Sequence, residues 1–129
     1  MAHANEDLLR STTDALNRGD MDAFLAAHSP DVKFHVRGTS PIAGDHEGRD
    51  GMGAVFGKMI GMLDGPPTAD IHDCLANDEH GVLLVTQHLS RGGTSMDAPL
   101  TLVFHFRDAM ISEVWLTPQD QYAMDGFLG

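Results

Sequence analysis

Between Ala69 and Thr117 the chain reads as four successive strands, 69–77, 81–91, 98–108 and 111–117, separated only by turns. The turns are Asn77-Asp-Glu-His-Gly81, Arg91-Gly-Gly-Thr-Ser-Met-Asp97 and Asp108-Ala-Met110. Strands joined this closely form an antiparallel meander, because a parallel pair needs a long crossover. Apart from a short tail, helical patterns fall in the first half of the chain. Helices first and a meander after is an α+β arrangement.

The first helix is expected from Glu6 to Arg18, with Asn5 as its N-cap and Gly19 at its C-terminal cap. Glu6 and Asp7 suit the positive end of the helix, and Leu8, Leu9, Thr12, Ala15 and Leu16 share one face. Asp20 caps a second helix that runs through Ala27 and ends at Ser29-Pro30. Residues 32–37 then alternate, with Val32, Phe34 and Val36 on one face and Lys33, His35 and Arg37 on the other. Gly38 to Gly48 reads as a loop by its glycine and proline content.

A third helix is expected from Arg49 to Leu63 despite Gly51, Gly53, Gly57 and Gly61. Each glycine costs a helix about 1 kcal/mol relative to alanine, so packing has to compensate. The bare stripe is expected to let a strand or helix approach closely. Met52, Phe56, Met59 and Met62 supply an adaptable apolar surface beside it. The tail, Gln119 to Leu128, reads as a short helix over an open end of the sheet.

A chain of 129 residues, 42% hydrophobic, supports one core and one domain, 1–129. The net charge of −11 and the lack of any Lys/Arg cluster exclude nucleic acid as the expected partner. No apolar run reaches the length of a membrane span, and the N-terminus lacks the pattern of a signal peptide. With its single cysteine, Cys74, unable to pair within the chain, the expectation is a cytoplasmic protein. Eight histidines are the abundant groups able to move protons near neutral pH.

Ala15-Leu-Asn-Arg-Gly-Asp-Met-Asp22, then Phe24-Leu-Ala-Ala27 and Asp31-Val-Lys-Phe-His-Val36, resemble the nuclear transport factor 2-like superfamily. So does the paired-strand segment Leu102-Val-Phe-His-Phe-Arg-Asp-Ala-Met-Ile-Ser-Glu-Val-Trp115. Within that superfamily the likeness is to the SnoaL-like branch, which also holds the ketosteroid isomerases, and it runs from about Glu6 to Trp115. It implies a cone-shaped, strongly curved antiparallel sheet wrapped around the N-terminal helices, with a ligand inside. One scaffold of this kind serves many chemistries.

The resemblance also implies positions. The isomerase tyrosine falls on Thr12, its base aspartate on Val36 and its second aspartate on Val103, so all three catalytic groups are replaced. Arg107 and Asp108 are adjacent and point to opposite faces, so they cannot form the Asp-Arg-Asp clamp of the epoxide-hydrolase relatives. The same register puts His88 at a pocket aromatic position and His105 beyond Val103 on the concave face, with Thr86 and Thr101. His88 and His105 are then the expected proton carriers, and Thr12 or Thr101 would polarise an oxygen. Phe56, Met59, Val114 and Leu116 complete the expected ligand surface with Thr12, Val36, Thr86, Thr101 and Val103.

If residue 88 pairs with 101 and 84 with 105, the two histidines stand about 13 Å apart and form no dyad. Simple alternation says something different. Leu100, Leu102, Phe104 and Phe106 are the more apolar face of their strand, and burial alone would turn them inward and His105 outward. The register implied by the resemblance says the opposite and is preferred, so those four residues are expected at a homodimer interface.

His35 and Asp45 are minor candidates. His35 has outward parity, although Phe34-His-Val-Arg-Gly-Thr-Ser-Pro-Ile-Ala-Gly44 resembles a strand-to-loop signature of SnoaL-like proteins. Asp70, His72 and Cys74 alternate on one strand, and their spacing is poor for one ion, so no metal and no cofactor is expected. The expected function is a cofactor-independent enzyme (isomerase, cyclase, dehydratase or hydrolase) acting on a small apolar organic molecule by proton transfer. A non-catalytic ligand-binding or assembly module of the same fold is the alternative.

Overall fold

The computed structural model describes residues 3–129. In chain order the elements are α1 (Ala4–Asn17), α2 (Met21–Ala26), β1 (His28–Val36), β2 (Gly44–Glu47), α3 (Gly48–Met62), β3 (Thr68–Ala76), β4 (His80–Arg91), β5 (Thr94–Arg107), β6 (Met110–Pro118) and α4 (Gln121–Leu128). The strands form one six-stranded sheet in the order β2-β1-β6-β5-β4-β3. Neighbours are antiparallel except β1 and β6, which run parallel. The sheet curves around the helices in the expected α+β arrangement. None of the described helices is long and apolar enough to cross a membrane.

The helix starts show how the ends are tied. His3, not Asn5, caps α1, its ring accepting from the Asn5 backbone N–H at 3.0 Å. Asn5 is buried, and its amide donates to the Asn77 carbonyl at 3.0 Å, anchoring α1 to the turn before β4. At the other end Asn17 exchanges two 2.8 Å hydrogen bonds with the backbone of Ala69, at the start of β3. Gly19 takes φ +74°, where a side chain would be strained, and Asp20 caps α2 as expected.

β1 begins earlier than the alternation indicated, at His28, because Pro30 falls where the register with β6 breaks between His28 and Lys33. The expected loop 38–48 contains β2, a short edge strand that pairs His35 with Asp45. α3 forms, but its glycines do not make the bare contact stripe expected of them. A side chain at Gly57 or Gly61 would point into open space, and only Gly53 faces a neighbouring helix, where a Cβ would stand 3.5 Å from Leu25. Met52, Val55, Phe56 and Met59 carry the buried face instead.

The β4–β5 hairpin is tighter than expected. Gly92 and Gly93, at φ +60° and +80°, make a two-residue turn, and their N–H groups donate to the Asp64 carboxylate at 2.9 Å. His88 therefore pairs with Asp97, Leu84 with Thr101 and His80 with His105. The shift from the expected register is even, so it leaves every side chain on its own face. The turn before β6 holds Asp108 and Ala109 at φ +54° and +60°, without glycine. Left-handed backbone strains alanine more than aspartate. Ala109→Gly is expected to raise the free energy of unfolding by about 0.5–1 kcal/mol, read from urea denaturation, while Gly92→Ala should lower it.

Candidate functional site

The inward faces of β1, β4, β5 and β6 and the apolar sides of α1, α2 and α3 line a narrow cavity of about 70 Å³. Leu83 and Val85 of β4, Leu100, Leu102 and Phe104 of β5, and Val114 and Leu116 of β6 line it on the sheet side. Leu9, Phe24, Met52 and Phe56 close it from the helices. The polar residues on its wall are Thr12, Thr13, His28 and Gln87, all buried.

His28 is the first residue of β1, directly after α2. Its Nδ1 lies 2.8 Å from the Phe24 carbonyl oxygen, and its ring tilts against the Phe24 ring at 4.9 Å between centroids. A carbonyl only accepts, so Nδ1 carries the proton and Nε2 carries the lone pair. Burial pushes the His28 pKa down to about 4, against the favourable Phe24 hydrogen bond and with help from the Arg49 guanidinium. The imidazole is therefore neutral at pH 7. Arg49 Nε donates to the His28 carbonyl at 2.9 Å and fixes the backbone there.

The two threonine hydroxyls are engaged by α1 itself. Thr12 donates to the Leu8 carbonyl at 2.6 Å and Thr13 to the Leu9 carbonyl at 2.9 Å. Thr12 thus lines the cavity as expected, but its proton is not available to polarise a ligand oxygen.

Thr12, Phe56, Val114 and Leu116 are where the expected ligand surface put them. Val36 and Met59 are buried in the core beside the cavity without lining it. Thr86, Thr101 and Val103 belong to the opposite, outward face, and Val103 is 36% exposed. His88 and His105 are outside as well. His88 sits between Asp70 and Asp97, at 2.7 Å from each carboxylate. His105 packs on Trp115 at 4.7 Å and on His80 at 4.9 Å between ring centroids.

The reason is that β5 follows simple alternation. Leu100, Phe104 and Phe106 are buried and Leu102 lines the cavity, so the four residues expected at a dimer face fill the interior. Cys74 is buried toward α1, its thiol facing the Glu6 carbonyl, while His72 is exposed and a bulge between Ile71 and Asp73 breaks their alternation.

Residues 9–114 match the family profile of the SnoaL-like domain. The chain belongs to the SnoaL-like domain family. Its fold is that of the nuclear transport factor 2-like superfamily. The uncharacterized protein Rv0034 of Mycobacterium tuberculosis (strain ATCC 25618 / H37Rv) is 33% identical over 119 residues, covering 89% of this SnoaL-like chain and 91% of its own. Among solved structures, Bal32a from a soil-derived mobile gene cassette superposes with a TM-score of 0.93 at 29% identity, covering 99% of this chain and 98% of its own. TerC, co-crystallized with polyporic acid, superposes at 0.88 with 98% of each chain covered; at 15% identity it shows the fold alone.

On the outer face of this SnoaL-like domain, His35 lies 2.6 Å from Asp45 of β2 through Nδ1 and 2.6 Å from Glu113 of β6 through Nε2. Its partial burial pulls the pKa down, but the hydrogen bonds to Asp45 and Glu113 outweigh that and raise it. His88 is raised too, by its hydrogen bonds to Asp97 and Asp70. When protonated, each ring can donate from both nitrogens and so bridges three strands.

The cavity's own polar residues, His28 and Gln87, had a signal in the sequence. Gln87 breaks the apolar series Leu83, Val85, Leu89 on the inward side of β4, and His28 lies four residues after Phe24 at a helix end. A folded pKa near 4 against an ordinary 6.5 means that the unfolded chain takes up a proton that the folded chain refuses. Stability is expected to fall by about 3 kcal/mol between pH 7 and pH 4 on this account. His28→Gln should remove that slope, measured by comparing urea unfolding of the two proteins across the pH range.

Proposed function

We propose that this SnoaL-like domain takes a small, largely apolar organic molecule into the cone and moves a proton on it through His28, without a cofactor. The carrying observation is a buried, neutral imidazole, with its Nε2 lone pair free of the Phe24 hydrogen bond, on the wall of a largely apolar cavity. Nε2 would accept a proton from a weakly acidic O–H or C–H of the ligand. The imidazolium formed is disfavoured by the same burial that lowers its pKa, so the proton is returned quickly. Returned to a different atom of the same molecule, it completes a tautomerisation, or a ring closure in which the deprotonated atom has meanwhile formed a bond. Both are net proton-neutral reactions, which suits a base that cannot stay charged. The polyporic acid of TerC supports an organic ligand in this fold.

A ligand carrier without turnover is the second reading. It is favoured by one specific feature, the absence of any carboxylate among the described residues that line the cavity.

The test uses an apolar enolisable ketone, β-tetralone, in deuterated buffer, with NMR following both ligand and protein. Ligand should shift the His28 Nε2 resonance, and the protein should accelerate deuteration next to the carbonyl. His28→Phe should slow that exchange by about 100-fold or more. A shifted His28 signal without accelerated exchange would select the carrier, and an exchange rate unchanged in His28→Phe would remove His28 from the chemistry.

A further inference from the structure

The polar atoms of the cavity are unequally supplied with protons. Thr12 and Thr13 direct their hydroxyl protons to the Leu8 and Leu9 carbonyls, and His28 directs its Nδ1 proton to Phe24. What these three residues leave toward a ligand is lone pairs. Gln87 is the exception, for no hydrogen bond to another described side chain or backbone group engages its amide. It contributes one acceptor oxygen and the one N–H₂ donor on the wall. No described Lys, Arg, Asp or Glu lines the cavity, and the His28 ring is held neutral.

We infer that the ligand is a neutral, compact apolar molecule that brings its own hydrogen-bond donor, a phenol- or enol-type hydroxyl directed at the lone pairs of His28 and the threonines, with at most one carbonyl, placed on Gln87. This rests on the cavity being the ligand site, as proposed above. Molecules that carry only acceptors, such as ethers and diketones, leave either their own oxygens or the cavity's lone pairs unpaired. Each such loss weakens binding, since a buried polar group without a partner forfeits its hydration and gains nothing. Anions fare worse, because the wall offers no cation and a chain with net charge −11 repels them on approach. Gln87 becomes the residue that decides whether a carbonyl is tolerated.

A matched set of para-substituted toluenes separates these demands by calorimetric titration of the intact chain. The probes are p-xylene, p-cresol, p-methylanisole, p-methylacetophenone and p-toluate. p-Cresol should bind about tenfold or more tightly than p-methylanisole or p-xylene, and p-toluate least of all. Gln87→Leu should weaken p-methylacetophenone by about tenfold and leave p-cresol within about twofold, a contrast that general misfolding would not give. Cresol, anisole and xylene binding equally would overturn the inference while leaving the cavity reading intact. Tight p-toluate binding would overturn it as well. No binding by any of the five, with the protein folded by circular dichroism, would remove the cavity reading and the inference with it.

Discussion

Leu9 of α1 meets the sheet where Gly81 of β4 leaves room for it. A Cβ at Gly81 would come within 3.0 Å of Leu9 Cδ1 and 2.9 Å of the Phe106 ring, so both side chains occupy the space that any side chain at 81 would need. The absent side chain leaves room for the Phe106 ring and for Leu9 of α1 on the concave face. Asn5 and Asn17 then hold the two ends of the same helix to the β3–β4 turn and to the start of β3. With α1 fixed in this way, the inward residues of β4 and β5 have a lid, and the space left beyond Leu9, toward Phe24 and Phe56, is the cavity.

The strand segments were legible because burial follows period two with little interruption. Leu83, Val85, Gln87 and Leu89 alternate inward on β4, and Leu100, Phe104 and Phe106 on β5. Alternation placed His105 outside, and it is outside. Carrying positions over from distant relatives placed His88, His105, Thr86 and Thr101 inside, and they are not. Faces inferred by counting positions invert with an offset of one residue, whereas faces inferred from hydrophobicity do not. Other features had no local signal. β2 exists because the neighbouring β1 offers an unpaired edge, not because Gly44-Asp-His-Glu47 favours a strand.

The site was less legible than the fold, and for a related reason. His28 is placed by a helix end, a proline-broken strand and an aromatic neighbour, three features that converge only in space. A histidine in the middle of an alternating strand attracts notice, but His88 and His105, which stand there, belong to the outer face. The cavity's character comes from which protons are already engaged. Thr12, which the sequence offers as a donor, is an acceptor in the fold, as is Thr13 beside it, because helix carbonyls take their protons first.

The histidine–carboxylate bridges at His35 and His88 lie near opposite margins of the sheet, one reaching β2 and the other β3. Those are the two edge strands, whose unpaired backbone is the natural place for another chain to add itself. Asp45 and Asp70, both exposed, keep a charged side chain on each margin and are held there by the ring between strands. A foreign strand docking on either edge would have to bring its backbone alongside a fixed carboxylate. Each margin of the sheet therefore carries a carboxylate pinned beside its open backbone, an electrostatic hem that opposes the addition of a further strand.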